Sequence, residues 1–213
     1  RELSMAWPKN RTLHIVCHGH SVPAGYFKTP VVDSLNAYPH LLFEGLKRRH
    51  PNAVVNVVVT AIGGENSAQG AERFEKDVLA FSPAVVLIDY GLNDRRIGLE
   101  AAEAAWRRMV ELAKAKGVKV LLLTPTGDTS ARMESPDDPL HQHAAQIRRL
   151  AAELEVGLVD SFAATKAFVG SGGRLEELMS QSNHPNRRGH ELVAREALKW
   201  FDAGPRLPSQ ESK

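Results

Sequence analysis

The chain has 213 residues, 43% of them hydrophobic and 24% charged, with a formal net charge of +2. This composition suits one sizeable core rather than two domains, and it implies no strong electrostatic pull toward nucleic acid or an anionic membrane. The single cysteine, Cys17, excludes an internal disulfide and metal sites built on several thiolates, and no apolar run approaches the ~20 residues of a membrane span.

No signal peptide is visible, but the chain opens on Arg1 rather than methionine. A leader or neighbouring domain could have been removed, so no compartment is assigned. The first eleven residues are polar and are expected to lie over the surface. An apolar strand over 13–17 then runs into a turn carrying Ser21, in the pattern Gly19-x-Ser21-x-x-x-Gly25. Tyr26, Phe27 and Lys28 follow and could wall a pocket. Asn36 is placed as the N-cap of a helix reaching about residue 49, with Leu41, Leu42 and Leu46 on one face.

A β-branched strand covers 54–60. The stretch 61–70 is too glycine-rich for either element and reads as a loop, with a helix at 71–80. The next strand is 84–90, followed at once by Gly91-Leu92-Asn93-Asp94. A helix over 99–116 closes at Gly117 in a left-handed cap. The fourth strand is 118–124, a polar loop covers 125–136, and a helix runs from 137 to 155. His141 and His143, at the start of that helix, are expected to face solvent. A short strand at 156–160, a helix at 161–169, a turn of helix at 175–179, a loop at 180–185 and a helix at 186–201 complete the chain. The polar tail from about 204 is expected to fray.

Five alternations of strand and helix predict an α/β fold with a mostly parallel sheet and helices on both faces. A single domain over 1–213 is expected, with its core at about 12–201. Chemistry concentrates at the loops after strands and before the last helix. Ser21 offers a hydroxyl nucleophile, which needs a base near neutral pH. His184 offers an imidazole for that task. The oxyanion formed by attack on an acyl carbon needs preorganised donors. Gly64 can present an N–H, Asn93 a side-chain amide and Ser21 its own N–H.

His14, His18 and His20 lack acidic or thiolate neighbours in a ligand pattern, so no metal is assigned. His190 is expected to pack or cap on the last helix. Arg95 and Arg96 read as a solvated loop pair, with contact to an anionic substrate as the other use. No P-loop or G-x-G-x-x-G follows the first strand, so no nucleotide cofactor is expected.

At these residues the chain resembles the SGNH hydrolases, also called the GDSL family, which are named for a serine, a glycine, an asparagine and a histidine in four separate blocks. The blocks stand here as Gly19-His20-Ser21 with Gly25, Gly63-Gly64-Glu65-Asn66, Gly91-Leu92-Asn93-Asp94, and His184-Pro185-Asn186 with Gly189-His190. The resemblance spans residues 13 to about 200. It implies a flavodoxin-like three-layer α/β/α fold and a serine esterase, with Ser21 as nucleophile, His184 as base, and Ser21, Gly64 and Asn93 around the oxyanion. No cofactor is expected. The family's substrates are acetyl or longer acyl esters of sugars, lipids or small alcohols; the sequence has no obvious hydrophobic lid for a long fatty chain, so the substrate expected is a small-molecule or polysaccharide ester carrying a short acyl group, most simply acetyl on a carbohydrate. A lysophospholipase or thioesterase, and a catalytically weakened sugar-binding module, are the alternatives.

Two positions depart from the family's pattern. His20 stands where Asp is usual and is expected to hydrogen-bond the neighbouring loops in its place, while Asp94 is expected to buttress its own loop. Gln181 stands three residues before His184, where the family carries the triad acid. Glutamine cannot lend a negative charge to an imidazolium. Either a backbone carbonyl orients His184, or another carboxylate folds in, with Asp160 and Glu177 as candidates.

Overall fold

The computed structural model describes residues 2–201; the tail reading at 204–213 lies outside them. Five parallel strands form one sheet: β1 (Thr12–Gly19), β2 (Val54–Val59), β3 (Val85–Asp89), β4 (Lys119–Leu123) and β5 (Gly157–Val159). Their spatial order is β2-β1-β3-β4-β5, with every neighbouring pair parallel. This is the flavodoxin-like order, and its reversal point lies between β1 and β3. The chain therefore leaves the carboxyl ends of β1 and β3 into the crevice where open α/β sheets place their sites.

Both faces of the sheet are covered, which is why the strands read as continuous apolar runs rather than alternating ones. Ile15 and Cys17 on one face of β1 pack with Leu42 and Leu46 of α2 (Tyr38–Arg49) and with Val193 and Ala197 of α7 (Arg187–Leu198). Val16 on the other face packs with Phe74 of α3 (Ser67–Asp77) and with Trp106 and Met109 of α4 (Gly98–Ala115). Helix α5 (Pro139–Glu153) adds Ile147 and Leu150 to the second cluster, and α6 (Ser161–Gly170) adds Phe162 to the first. Each fully buried side chain of this size contributes about 1.5–3 kcal/mol of transfer free energy.

Four local expectations are corrected. Helix α3 begins at Ser67, inside the stretch read as loop, because Asn66 and Gln69 form a reciprocal capping box. Asn36 does not cap α2; its side chain bonds Asp33 within a short 3-10 turn, and Ala37 takes the cap position without a side-chain bond. The stretch 180–185 is no open loop, since β6 (Met179–Gln181) pairs antiparallel with β7 (His184–Pro185). His143 is buried, not solvent-facing, and burial pushes its pKa down to about 4.

Candidate active site

Ser21 opens a one-turn helix, α1 (Ser21–Ala24), immediately beyond β1. Two glycines make that turn possible. A Cβ on Gly19 would stand 2.3 Å from the Asp89 carbonyl oxygen, because β1 and β3 close on each other there. Gly25 ends the turn at φ +90°, a left-handed conformation that favours glycine. The Ser21 hydroxyl is held 2.9 Å from His184 Nε2. Both residues are 7% exposed, so the pair is mostly withdrawn from water yet reachable.

The other ring nitrogen of His184, Nδ1, lies 2.8 Å from the main-chain carbonyl oxygen of Phe27. That contact sets the tautomer: Nδ1–H donates to the carbonyl, and Nε2 is left as acceptor for the serine hydroxyl. The loop carrying the carbonyl is fixed from three sides. Tyr26 and Val32 form an antiparallel bridge across it. The Phe27 ring packs against His190 with centroids 5.2 Å apart. The Thr29 N–H donates to Gln181 Oε1 at 2.9 Å. Gln181 therefore braces the loop that orients the imidazole. Burial lowers the pKa of His184, and the Phe27 carbonyl opposes that shift.

The two carboxylates offered as triad acids are engaged elsewhere. Asp160 caps α6 through Ala163 N–H and pairs with Arg148 at 2.6 Å. Burial would raise its pKa, but Arg148 and these hydrogen bonds bring it below the usual range. Glu177 accepts from Arg174 and from Arg188, which lowers its pKa. Neither meets His184, because each is already neutralised by an arginine at the protein's surface. Of the two remedies for the missing acid, the geometry shows the backbone carbonyl.

The oxyanion candidates converge on the same edge. Gly64 has φ +82°, and among the described residues its N–H and that of Ser21 find no protein acceptor. The Asn93 amide donates to the Glu65 carbonyl oxygen at 2.8 Å, which leaves a second amide hydrogen free and ties the Asn93 loop to the Gly64 loop. Asp94 is fully buried and accepts from Ser67 N–H and from Trp106 Nε1, both at 2.7 Å. Burial raises its pKa, and these two donors oppose the rise. The α4 core stripe thus ends in a polar contact that holds the Asn93 turn.

Sequence reading missed a network behind Gly64. Glu65 takes two bonds from Arg73 and one from the Tyr90 hydroxyl, and Tyr90 reaches His18. Burial, with a contribution from Arg73, pushes His18 down to about 4. Arg95 is not simply solvated, since it pairs with buried Asp128 at 2.8 Å; Arg96 remains exposed beside the Gly64 carbonyl. His190 is buried, and its Nδ1 accepts from Tyr38 N–H at the start of α2. His20 accepts the Val22 N–H at its own Nδ1, 3.2 Å away, and so caps α1. Sequence reasoning placed Phe27 only among residues that could wall a pocket; that its carbonyl meets His184 was beyond it, because every residue carries a carbonyl.

Residues 17–192 match the family model of the GDSL-like lipases and acylhydrolases. The chain belongs to that family. It is a carboxylic ester hydrolase of the SGNH/GDSL type. The hydrolase is similar in fold to Axe2, an acetylxylan esterase from Geobacillus stearothermophilus, at 23% identity over 90% of this chain and 95% of that one, with a TM-score of 0.76. A catalytic mutant of the same enzyme superposes at TM-score 0.77, with 22% identity over 94% of this chain and 97% of that one. A two-domain esterase active on acetylated mannans, crystallised with mannopentaose, gives TM-score 0.74 at 22% identity, covering 90% of the hydrolase and 49% of the larger protein. No curated protein matches.

Proposed function

We propose that the hydrolase removes acetyl groups from carbohydrate esters, with Ser21 as nucleophile and His184 as general base. The observation that carries this reading is the 2.9 Å contact between Ser21 Oγ and His184 Nε2, at the sheet edge where Gly64 and Asn93 converge. His184 Nε2 takes the hydroxyl proton as Oγ bonds to the acyl carbon, and the carbonyl oxygen becomes an oxyanion facing the N–H groups of Ser21 and Gly64 and the Asn93 amide. The imidazolium then returns its proton to the departing sugar oxygen as the ester C–O bond breaks. Water repeats the sequence on the acyl-serine and releases acetate.

The short acyl group is supported by the sequence, which carries no hydrophobic lid for a fatty chain. The carbohydrate alcohol is supported by the similar folds, described as acting on acetylated xylan and acetylated mannans. Initial rates on p-nitrophenyl acetate, butyrate and octanoate, and acetate release from acetylated xylan and mannan, test both halves. The expected result is a preference for acetate, acetate release from at least one polysaccharide, and loss of all turnover in Ser21→Ala. An optimum at octanoate overturns the acyl assignment, and undiminished activity in Ser21→Ala overturns the mechanism.

A further inference from the structure

Ser21 is flanked by two imidazoles, not one. His184 Nε2 stands 2.9 Å from Oγ, and His20 Nδ1 stands 3.5 Å from it on another side. Behind His20 lies Asp89, whose Oδ1 is 3.4 Å from His20 Nε2. That separation is long for a formed hydrogen bond, but no other acceptor competes for Nε2 among the described residues. Both side chains are almost wholly buried, at 1% and 4% exposed. The backbones are joined as well, since His20 N–H donates to the Asp89 carbonyl at 3.3 Å.

A buried carboxylate without a cationic partner is costly, and positions that retain one call for a reason. Among the described residues no lysine or arginine pairs with Asp89. The titratable groups near it are His20, the Cys17 thiol and the Tyr38 phenol; burial first, and then the Asp89 carboxylate, push the thiol and the phenol well above their usual ranges. Val22 N–H points at His20 Nδ1, so that nitrogen must carry a lone pair, and the His20 proton must sit on Nε2, facing Asp89.

We propose that Asp89 and His20 form a positioning pair for Ser21, in which Asp89 holds His20 as the Nε2–H tautomer. The inference rests on the esterase reading and supplies a reason for histidine at position 20. With Nδ1 unprotonated, His20 donates nothing to Ser21 Oγ, and the lone pair that attacks the ester stays free. A neutral His20 also spares His184 a second cation at its side when it becomes imidazolium. The buried Asp89 carboxylate adds negative potential behind His20, whereas the group on His184 Nδ1 is the neutral Phe27 carbonyl. The site's negative charge is thus carried one imidazole further back than a carboxylate at position 20 would carry it.

The test joins a readout independent of activity to a charge transposition. The ¹⁵N resonances of His20 in the resting protein at neutral pH should report the neutral Nε2–H tautomer; an Nδ1–H tautomer or an imidazolium overturns the proposal. In p-nitrophenyl acetate turnover, His20→Asp alone should lower kcat about tenfold or more, because two buried carboxylates then face each other. Asp89→Asn alone should also lower kcat, with KM unchanged. The double variant His20→Asp/Asp89→Asn restores a single carboxylate that can still cap Val22 N–H, and its kcat should recover to within about threefold of the parent, a non-additive result for coupled neighbours. Purely additive losses, or single variants with parental kcat, overturn it. Failure of Ser21→Ala to abolish turnover would remove the esterase reading while leaving the tautomer measurement intact.

Discussion

His184 Nδ1 and the Phe27 carbonyl oxygen are 2.8 Å apart, and this contact occupies the place of an acid in a Ser–His–acid arrangement. A carbonyl dipole orients the ring as a carboxylate would, but it stabilises the imidazolium far less. Loss of the acid alone in a studied serine protease costs about 3 × 10⁴ in turnover, roughly 6 kcal/mol of barrier. The hydrolase retains the orienting half of that role.

One consequence appears in the pH dependence. Burial lowers the pKa of His184, so the base stays neutral to lower pH than a free imidazole. The acidic limb of kcat/KM should fall below the ordinary histidine value of 6.5. Gln181→Asp places a negative charge on the β6 residue paired in register with His184. That charge favours the imidazolium, so the limb should move to higher pH. A limb that stays in place in a folded Gln181→Asp variant would show that position 181 acts only by bracing Thr29.

Asn93→Ala removes the proposed oxyanion donor and also the bond to the Glu65 carbonyl that links two loops. Turnover should fall by about 10²–10³, the range for losing one such donor. KM for p-nitrophenyl acetate should change little. A loss under threefold would restrict Asn93 to the structural bond.

Three histidines outside the chemistry are buried and neutral: His18 and His143 are lowered to about 4, and His190 to about 3, burial being the main cause in each. Their folded-state values lie below the unfolded value near 6.5, so below that pH the unfolded chain binds protons that the folded chain refuses. Stability present above 6.5 is therefore lost as pH falls toward 4, at up to about 1.4 kcal/mol per pH unit for each group. Urea unfolding at pH 7, 6 and 5 should show the midpoint dropping at each step. A midpoint constant over that interval would contradict the burial of these imidazoles.

Cys17 has no exposed surface, and burial raises its pKa far above that of a free thiol. The thiolate is the reactive form. A thiol reagent should leave the native protein unlabelled and titrate one cysteine in denaturant. Labelling of the native state at the denatured rate would contradict that packing.

The sequence by itself determined the layered fold and where its chemistry would gather. Apolar runs bounded by turns specify strands, the 3.6-residue stripe from Ala102 to Ala113 specifies α4, and side-chain types at strand ends mark Ser21, Asn93 and His184 as the groups to watch. These are local signals, each contained within a dozen residues. What orients His184 was decided only by tertiary structure. The Phe27 carbonyl has no sequence signature, and it reaches the ring across 157 positions of chain. The pairing of Asp160 with Arg148 and of Glu177 with Arg188 was equally invisible, because a carboxylate's partner depends on which helix packs beside it. Burial of His143 followed from the same cause. A polar residue at a helix start is exposed by default, until a neighbouring element closes over it.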